Sequence, residues 1–415
     1  MSSFAGVFSM ATQRNGAHVD KRAIFAWALY DFANTIFSMN VVSRYFPLWV
    51  TKGHGAPDLY FSLALSASML MVAVTSPALG AISDDTGKRV KPLLVLTVAC
   101  VIATAAIGFT GSLLTGLVLF AAANYCYQSA LVFYGGLLPS VAGATPVAKV
   151  AGYGAGVGYL GAVAGLLLLA PVEKNFGPSA VYLPTALLFL LFATPLFLWV
   201  KDAGIIPGAK ADIMGAFRKT AESFRRAAKN KNLSIFLIAN FFILDAVNTV
   251  IAFMSIYANT VIGLDGLKLN IFLITSTVGA VAGSFIWGSV TSAIGPRRAM
   301  IYVCKMWIVT FLVIAFAPNE TVFWMVGPLA GAALGGVWVA GRTLLIELAP
   351  KENLGECFGL YNVAGKASSI SGPLVWGLVV YLFSFLGGTI QHRLAVLSLT
   401  GFIFAGLYLL KRLDM

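Results

Sequence analysis

The chain has 415 residues, 59% of them hydrophobic and only 11% charged, and its formal net charge is +12. Globular domains in water carry about 25% charged residues, so composition excludes a mostly aqueous protein. Cys100, Cys126, Cys304 and Cys357 lie in apolar stretches without C-x-x-C spacing, and the three histidines are scattered, so neither a disulfide framework nor a metal cluster is expected. No phosphate-binding glycine loop of the G-x-x-x-x-G-K-[ST] type is present, and no cofactor is expected.

In chain order, residues 1–22 lack the apolar core of a signal peptide and read as a cytosolic leader. Crossing the hydrocarbon of a bilayer takes about 20 apolar residues. Runs that meet this follow at 23–50, 58–82, 91–111, 114–140, 152–172 and 179–200, then at 233–261, 268–292, 299–317, 321–348, 357–386 and 390–411. The expected fold is an all-α membrane protein of twelve spans, with six in 23–200, six in 233–415 and a polar link at 201–232. Within the link, Ile213, Phe217, Ala221, Phe224 and Ala228 recur at helical spacing between Arg218, Lys219, Arg225, Arg226 and Lys229. That pattern predicts a basic amphipathic helix at 212–231, read as an interfacial tether between the halves or a regulatory target.

With the N-terminus in the cytosol, 20 of the 28 Lys and Arg residues fall on the cytosolic side. The positive-inside rule therefore puts both termini in the cytoplasm, and the basic charge needs no nucleic-acid partner. Lean loops and modest length point to a bacterial inner membrane, with lipid and a small solute as partners and a monomer as the assembly.

One polar string occurs twice inside apolar spans: Asp31-Phe-Ala-Asn34-Thr35 and Asp245-Ala-Val-Asn248-Thr249, 214 positions apart. Carboxylates there are costly, about 3 kcal/mol on the lenient scales, so matching placement in two spans argues for a duplicated protein with a polar site between its halves. Gly80…Gly87-Lys88-Arg89 pairs with Gly288…Gly295-Pro-Arg297-Arg298 at an offset of 208. Gly152, Gly158 and Gly165 pair with Gly359, Gly365 and Gly372 at 207. Six spans repeated in parallel are a transporter's layout.

Asp31, with Asn34, Thr35 and Ser38 on its helical face, is a candidate to bind and release a proton; the alternative is a hydrogen-bonded bridge between helices. Asp245 and Asn248 form the equivalent face. Tyr125, Gln128 and Tyr134 in the fourth span, Arg342 in the tenth, and Tyr361, Asn362 and Lys366 in the eleventh complete the candidate solute site. Lys366 and Arg342 suit a solute carboxylate, or else neutralise the two aspartates. Arg44 is a candidate gate residue, or a cation reaching toward the headgroups.

Gly80-Ala-Ile-Ser-Asp84-Asp85-Thr-Gly87-Lys88-Arg89 lies between the second and third spans and resembles the G-x-x-x-D-x-x-G-R/K-R/K loop of the major facilitator superfamily. There Asp84, Gly87, Lys88 and Arg89 would act as a gating latch, with Asp84 capping a helix or holding a cation in one arrangement of the halves. Trp27-Ala-Leu-Tyr30-Asp31-Phe-Ala-Asn34 and Phe358-Gly359-Leu-Tyr361-Asn362, with Lys366 and Gly372-Pro373, are similar more particularly to the vacuole-effluxer branch, the autophagy-related vacuolar amino-acid effluxers and their bacterial relatives. Gly135-Gly136 and Ser140 depart from that branch beside the candidate site. The resemblance implies a secondary transporter, with alternating access, proton coupling and export of amino acids or related solutes as expectations. Organic-anion or drug transport on the same fold, or a transport-inactive sensor, are the alternatives. No Ser-His-Asp set or other enzymatic constellation is found, and enzyme activity is not expected.

Overall fold

The computed structural model describes residues 20–202, 205, 211–350 and 353–414; residues 1–19 of the expected leader and the cations Arg14, Lys210 and Lys351 lie outside them, while Lys21 and Arg22 already belong to the first helix. The first helix, α1 (Lys21–Phe37), starts under an Asp20 cap whose carboxylate accepts from the backbone N–H of Arg22 and Ala23. It continues as a rod through π-helical turns at Ser38–Tyr45 and Trp49–Gly53. Pro47, which brings no N–H to the ladder, sits between the two turns.

Among the described residues, eleven other helices are each long and apolar enough to cross a membrane; α1 falls short of that measure. They are α2 (Asp58–Thr86), α3 (Val90–Ile107), α4 (Leu113–Ala142), α5 (Val147–Phe176), α6 (Tyr182–Trp199), α7 (Lys231–Tyr257), α8 (Gly266–Ile294), α9 (Pro296–Phe316), α10 (Val326–Leu348), α11 (Leu354–Leu382) and α12 (Gly388–Lys411). The regular part of α1 is only 17 residues, because of its π-helical turns. A linker helix, Ile213–Lys229, joins the halves. Ile102, Leu160, Phe285 and Phe404 are exposed on the outer surface while Arg44 and Asp245 are buried, the reverse of a water-soluble protein.

The packing repeats. Helix α1 packs on α5 and α6, α2 and α3 on α4, and α3 on α6; α7 packs on α11 and α12, α8 and α9 on α10, and α9 on α12. Between the halves, α2 packs on α11 and α5 on α8. Small residues permit the closest crossings: a Cβ on Gly161 would lie 2.3 Å from Phe32 O, and one on Gly331 would lie 2.0 Å from Ser276 O.

The repeat register differs from the glycine reading. Gly158 of α5 abuts the Asp31 carboxylate and Thr35, and Gly372 of α11 abuts Asp245 and Thr249. Gly158 therefore corresponds to Gly372, an offset of 214, not to Gly365 at 207. The whole signature, string and facing glycine, shares one shift.

Candidate transport cavity

A cavity of about 1090 Å³ separates the two halves. Its wall runs from Ser38, Val42, Leu65 and Ile251 at mid-depth to Asp84, Gly355 and Thr220 of the linker helix, so it opens at the linker end of the molecule. The opposite, far end is sealed. Ser255 Oγ donates to Ser43 O at 2.5 Å and Ser66 Oγ to Ile370 O at 2.8 Å. Phe253 packs between Phe61 and Trp376, with ring centroids 5.0 Å away on each side.

Of the residues expected to hold solute, Gln128, Asn248, Tyr361, Asn362 and Lys366 line this cavity, together with Asn124, Tyr127 and Trp338. Lys366 Nζ donates to Gln128 Oε1 at 2.8 Å and to Gln128 O at 3.3 Å, so a cation on α11 meets α4 across the gap. No carboxylate pairs with Lys366 or Arg342 among the described residues. Arg342 is exposed beside the cavity, its guanidinium 5.6 Å from the Trp338 ring.

Other expected residues lie outside the wall. Tyr134 is stacked on Trp27 at 4.5 Å, and the two exchange hydrogen bonds, Tyr134 Oη to Trp27 O and Trp27 Nε1 to Tyr134 O. It welds α1 to α4. Tyr125 is half-buried away from the wall, and Asn34 is buried with both amide atoms unpartnered.

The two copies of the polar string play different parts. Asp245 is buried, and its carboxylate accepts the backbone N–H of Gly372 at 2.7 Å and the Ser371 hydroxyl. Helix α11 breaks at Ser369 (φ −90°, ψ 19°), and Asn248 Nδ2 donates to Ser369 Oγ at 3.0 Å. Asp245 thus supplies an N-cap from a neighbouring helix to the second half of α11, whose first turn contains Pro373. In the other half α5 runs unbroken. Thr35 Oγ1 donates to Gly158 O at 2.5 Å, while the half-buried Asp31 carboxylate has no hydrogen-bond partner among the described residues.

Arg44 is 2% exposed, which removes the headgroup reading. It pairs with Glu173 of α5 at 2.9 Å, and its Nε donates to Asn270 Oδ1 of α8 at 2.8 Å, crossing between the halves at the far end. Tyr45 also donates to Glu173, at 3.2 Å.

In this arrangement of the halves Asp84 caps no helix: it is exposed and, among the described residues, pairs only with Arg89, at 3.7 Å. The cap of α3 is Asp202, whose Oδ1 accepts the backbone N–H groups of Arg89 and Val90, both at 2.9 Å. Gly87 takes a left-handed φ of +67° to end α2, exposed Lys88 donates its backbone N–H to Thr86 Oγ1, and Arg89 Nε donates to Ser83 Oγ. In the second half Arg297 donates to the carbonyls of Leu410 and Lys411, so each loop grips the end of the sixth helix of its own half.

Glu173, Asn270, Asp202 and a buried far-end group around Asp58 escape sequence reasoning. For Glu173 a signal existed: a buried arginine in a chain with only 16 acidic residues calls for one of them as counter-ion.

A model of the family described as vacuole effluxer Atg22 like matches residues 59–415. An uncharacterised MFS-type transporter, YxiO, of Bacillus subtilis is 27% identical over 378 residues, covering 86% of this chain and 88% of that protein. Autophagy-related protein 22 of Eremothecium gossypii is 22% identical, covering 86% and 85%. Among solved structures, a point mutant of the nucleoside transporter NupG superposes with a TM-score of 0.79 at 12% identity, covering 95% of this chain and all of that one. A bacterial homolog of the human lysosomal transporter Spinster, inward-facing and unoccupied, gives 0.75 at 14%, covering 95% and 97%. The fold is that of the major facilitator transporters, and the chain is a multi-pass membrane protein that belongs to the vacuole effluxer Atg22-like family.

Proposed function

We propose that this chain carries a small anionic or zwitterionic solute across the membrane by alternating access, with Lys366 as its charge anchor. The carrying observation is the setting of Lys366. It lies in the cavity wall with a glutamine as its only hydrogen-bond partner among the described residues. The other charged wall residue, Asp84, is at the mouth beside Arg89. An ammonium so deep in a membrane protein is costly without a counter-charge, and a solute carboxylate supplies one. Asn248, Asn362, Tyr361 and Gln128 offer the neutral hydrogen bonds that hold the rest of a polar solute.

The amino-acid class is favoured because carboxylate and ammonium together match a cavity with one cation and many neutral polar groups, and the family's description as effluxers supports export. Asp31 is the proton site, its unpartnered carboxylate free to change charge as the halves rock. The linker end faces the cytosol of a bacterial inner membrane, with both termini on that side, and the carrier works as a monomer.

Solute-driven proton flux in proteoliposomes, screened over amino acids, organic acids and drugs, tests this reading. A solute that moves protons through the native protein but not through Asp31→Asn supports it. Equal transport by Asp31→Asn without protons returns Asp31 to a structural role, and silence across the panel favours a sensor.

A further inference from the structure

At the far end, on the opposite side from the cavity mouth, a second cavity of about 320 Å³ is lined by Lys52, Asp58, Gln391, His392 and their neighbours. Behind it three buried side chains meet across the gap between the halves. Asp58 Oδ2 of α2 accepts from Trp376 Nε1 of α11 at 2.9 Å and faces His392 Nε2 of α12 at 3.2 Å. His392 Nδ1 faces Gly388 O at 2.5 Å. Both ring nitrogens therefore point at oxygens. A carbonyl oxygen accepts only, and so does an ionised carboxylate. A neutral imidazole has one N–H and would set a lone pair against one of those oxygens; an imidazolium satisfies both. The other way to fill the gap, a proton on Asp58 shared with Nε2, also places one proton in the cluster.

We infer that the Asp58–His392 pair is a proton-binding latch between the two halves, loaded when the far end is closed and emptied to the far side when it opens. The halves contribute one partner each, so opening separates them, and the pocket with exposed Lys52 on its rim gives water a path to the pair. The groups facing the imidazole are the Asp58 carboxylate, the Gly388 carbonyl, the Trp376 ring at 6.3 Å and the Lys52 ammonium, which opposes the added charge. Burial of the ring works against its charge; the buried Asp58 carboxylate in contact with it works for it. The closed far end then holds one more proton than the open one, so acid on that side favours closure and neutral pH favours opening. This site is separate from Asp31.

The test reads conformation rather than flux, so its failure is distinguishable from failure of the transport reading. Spin labels on Asn175→Cys and Pro318→Cys, in a background without the four native cysteines, report the distance between the halves at the far end in nanodiscs. Above about pH 6.5, where a free imidazole in the open form loses its proton, the closed-to-open ratio should fall severalfold per pH unit, up to the limit of about tenfold for one linked proton, and below it the ratio should level off. His392→Gln keeps a donor toward Asp58 and should flatten that response. Should His392→Gln not fold, Asp58→Asn removes the counter-charge and should move the transition toward acid. A native distance that ignores pH overturns the proposal, as does an unchanged transition in the variant that folds.

Discussion

Lys366 and Asp245 are both charged, both within apolar helices and both in the second half, yet their surroundings assign them opposite work. Asp245 is saturated by a backbone N–H and a hydroxyl at a helix break. Asp245→Ala should therefore lower the melting temperature, by an amount equivalent to about 2–3 kcal/mol for a lost charge-assisted hydrogen bond, with flux falling in proportion to folded protein. Lys366→Met should leave the melting temperature near that of the native chain and raise the KM for a carboxylate solute about 10- to 100-fold, the worth of one charged contact. Thermal scanning beside transport kinetics separates the two. Sequence places both residues in helix interiors but cannot tell them apart, since the deciding partners, Gln128 and Gly372, lie 238 and 127 positions away.

The helices themselves are legible in the sequence, because a bilayer demands a length of apolar chain that few other structures need. Their faces are less so. A helix apolar all round does not announce which side meets the cavity, and Tyr134 and Asn34, expected in the solute site, belong to the α1–α4 packing and to a buried stretch of α1. The repeat register slips for a related reason. The two offsets, 207 and 214, differ by seven residues, nearly two helical turns, so glycines seven apart in both spans fall on the same face under either shift. Only the contact of Gly158 with Asp31 and of Gly372 with Asp245 decides it. The glycine contacts give a paired expectation. Gly161→Ala would drive a Cβ into the Phe32 backbone and should sharply reduce the yield of folded protein, whereas Gly152→Ala, with open space around it, should be tolerated. Size-exclusion profiles of the two variants check this.

For the molecule as a whole, closure of the far end concentrates in a few polar contacts laid over aromatic packing. Glu173→Gln would leave Arg44 buried without its counter-charge, a loss in the range of about 3–5 kcal/mol when one partner of a buried pair is removed. The native balance should then tilt toward a far-end-open form by at least about tenfold, measured as faster alkylation of a cysteine at Val42 by a reagent added from the far side. Restoring the charge with Glu173→Asp should recover part of the closure. Asn270 and the Asp58–His392 contact are beyond reach of sequence because each joins the two halves, where neither spacing nor periodicity carries information; Glu173 sits in the same half as Arg44.

The linker helix is pinned at both ends. Asp85 of α2 accepts the backbone N–H of Asp212 at its start, and Arg226 near its end pairs with Glu356 of α11 at 2.7 Å. Fourteen residues of helix between those pins make a stiff strut about 21 Å long, wedged across the doorway and fastened to opposite jambs. A door so propped swings shut only after one fastening slips or the strut pivots aside. Exposed pins of this kind hold by about 1 kcal/mol or less and weaken in salt. Ionic strength at that face thus becomes a throttle on how often the carrier turns over, acting at the mouth of the cavity and apart from the charge anchor at Lys366.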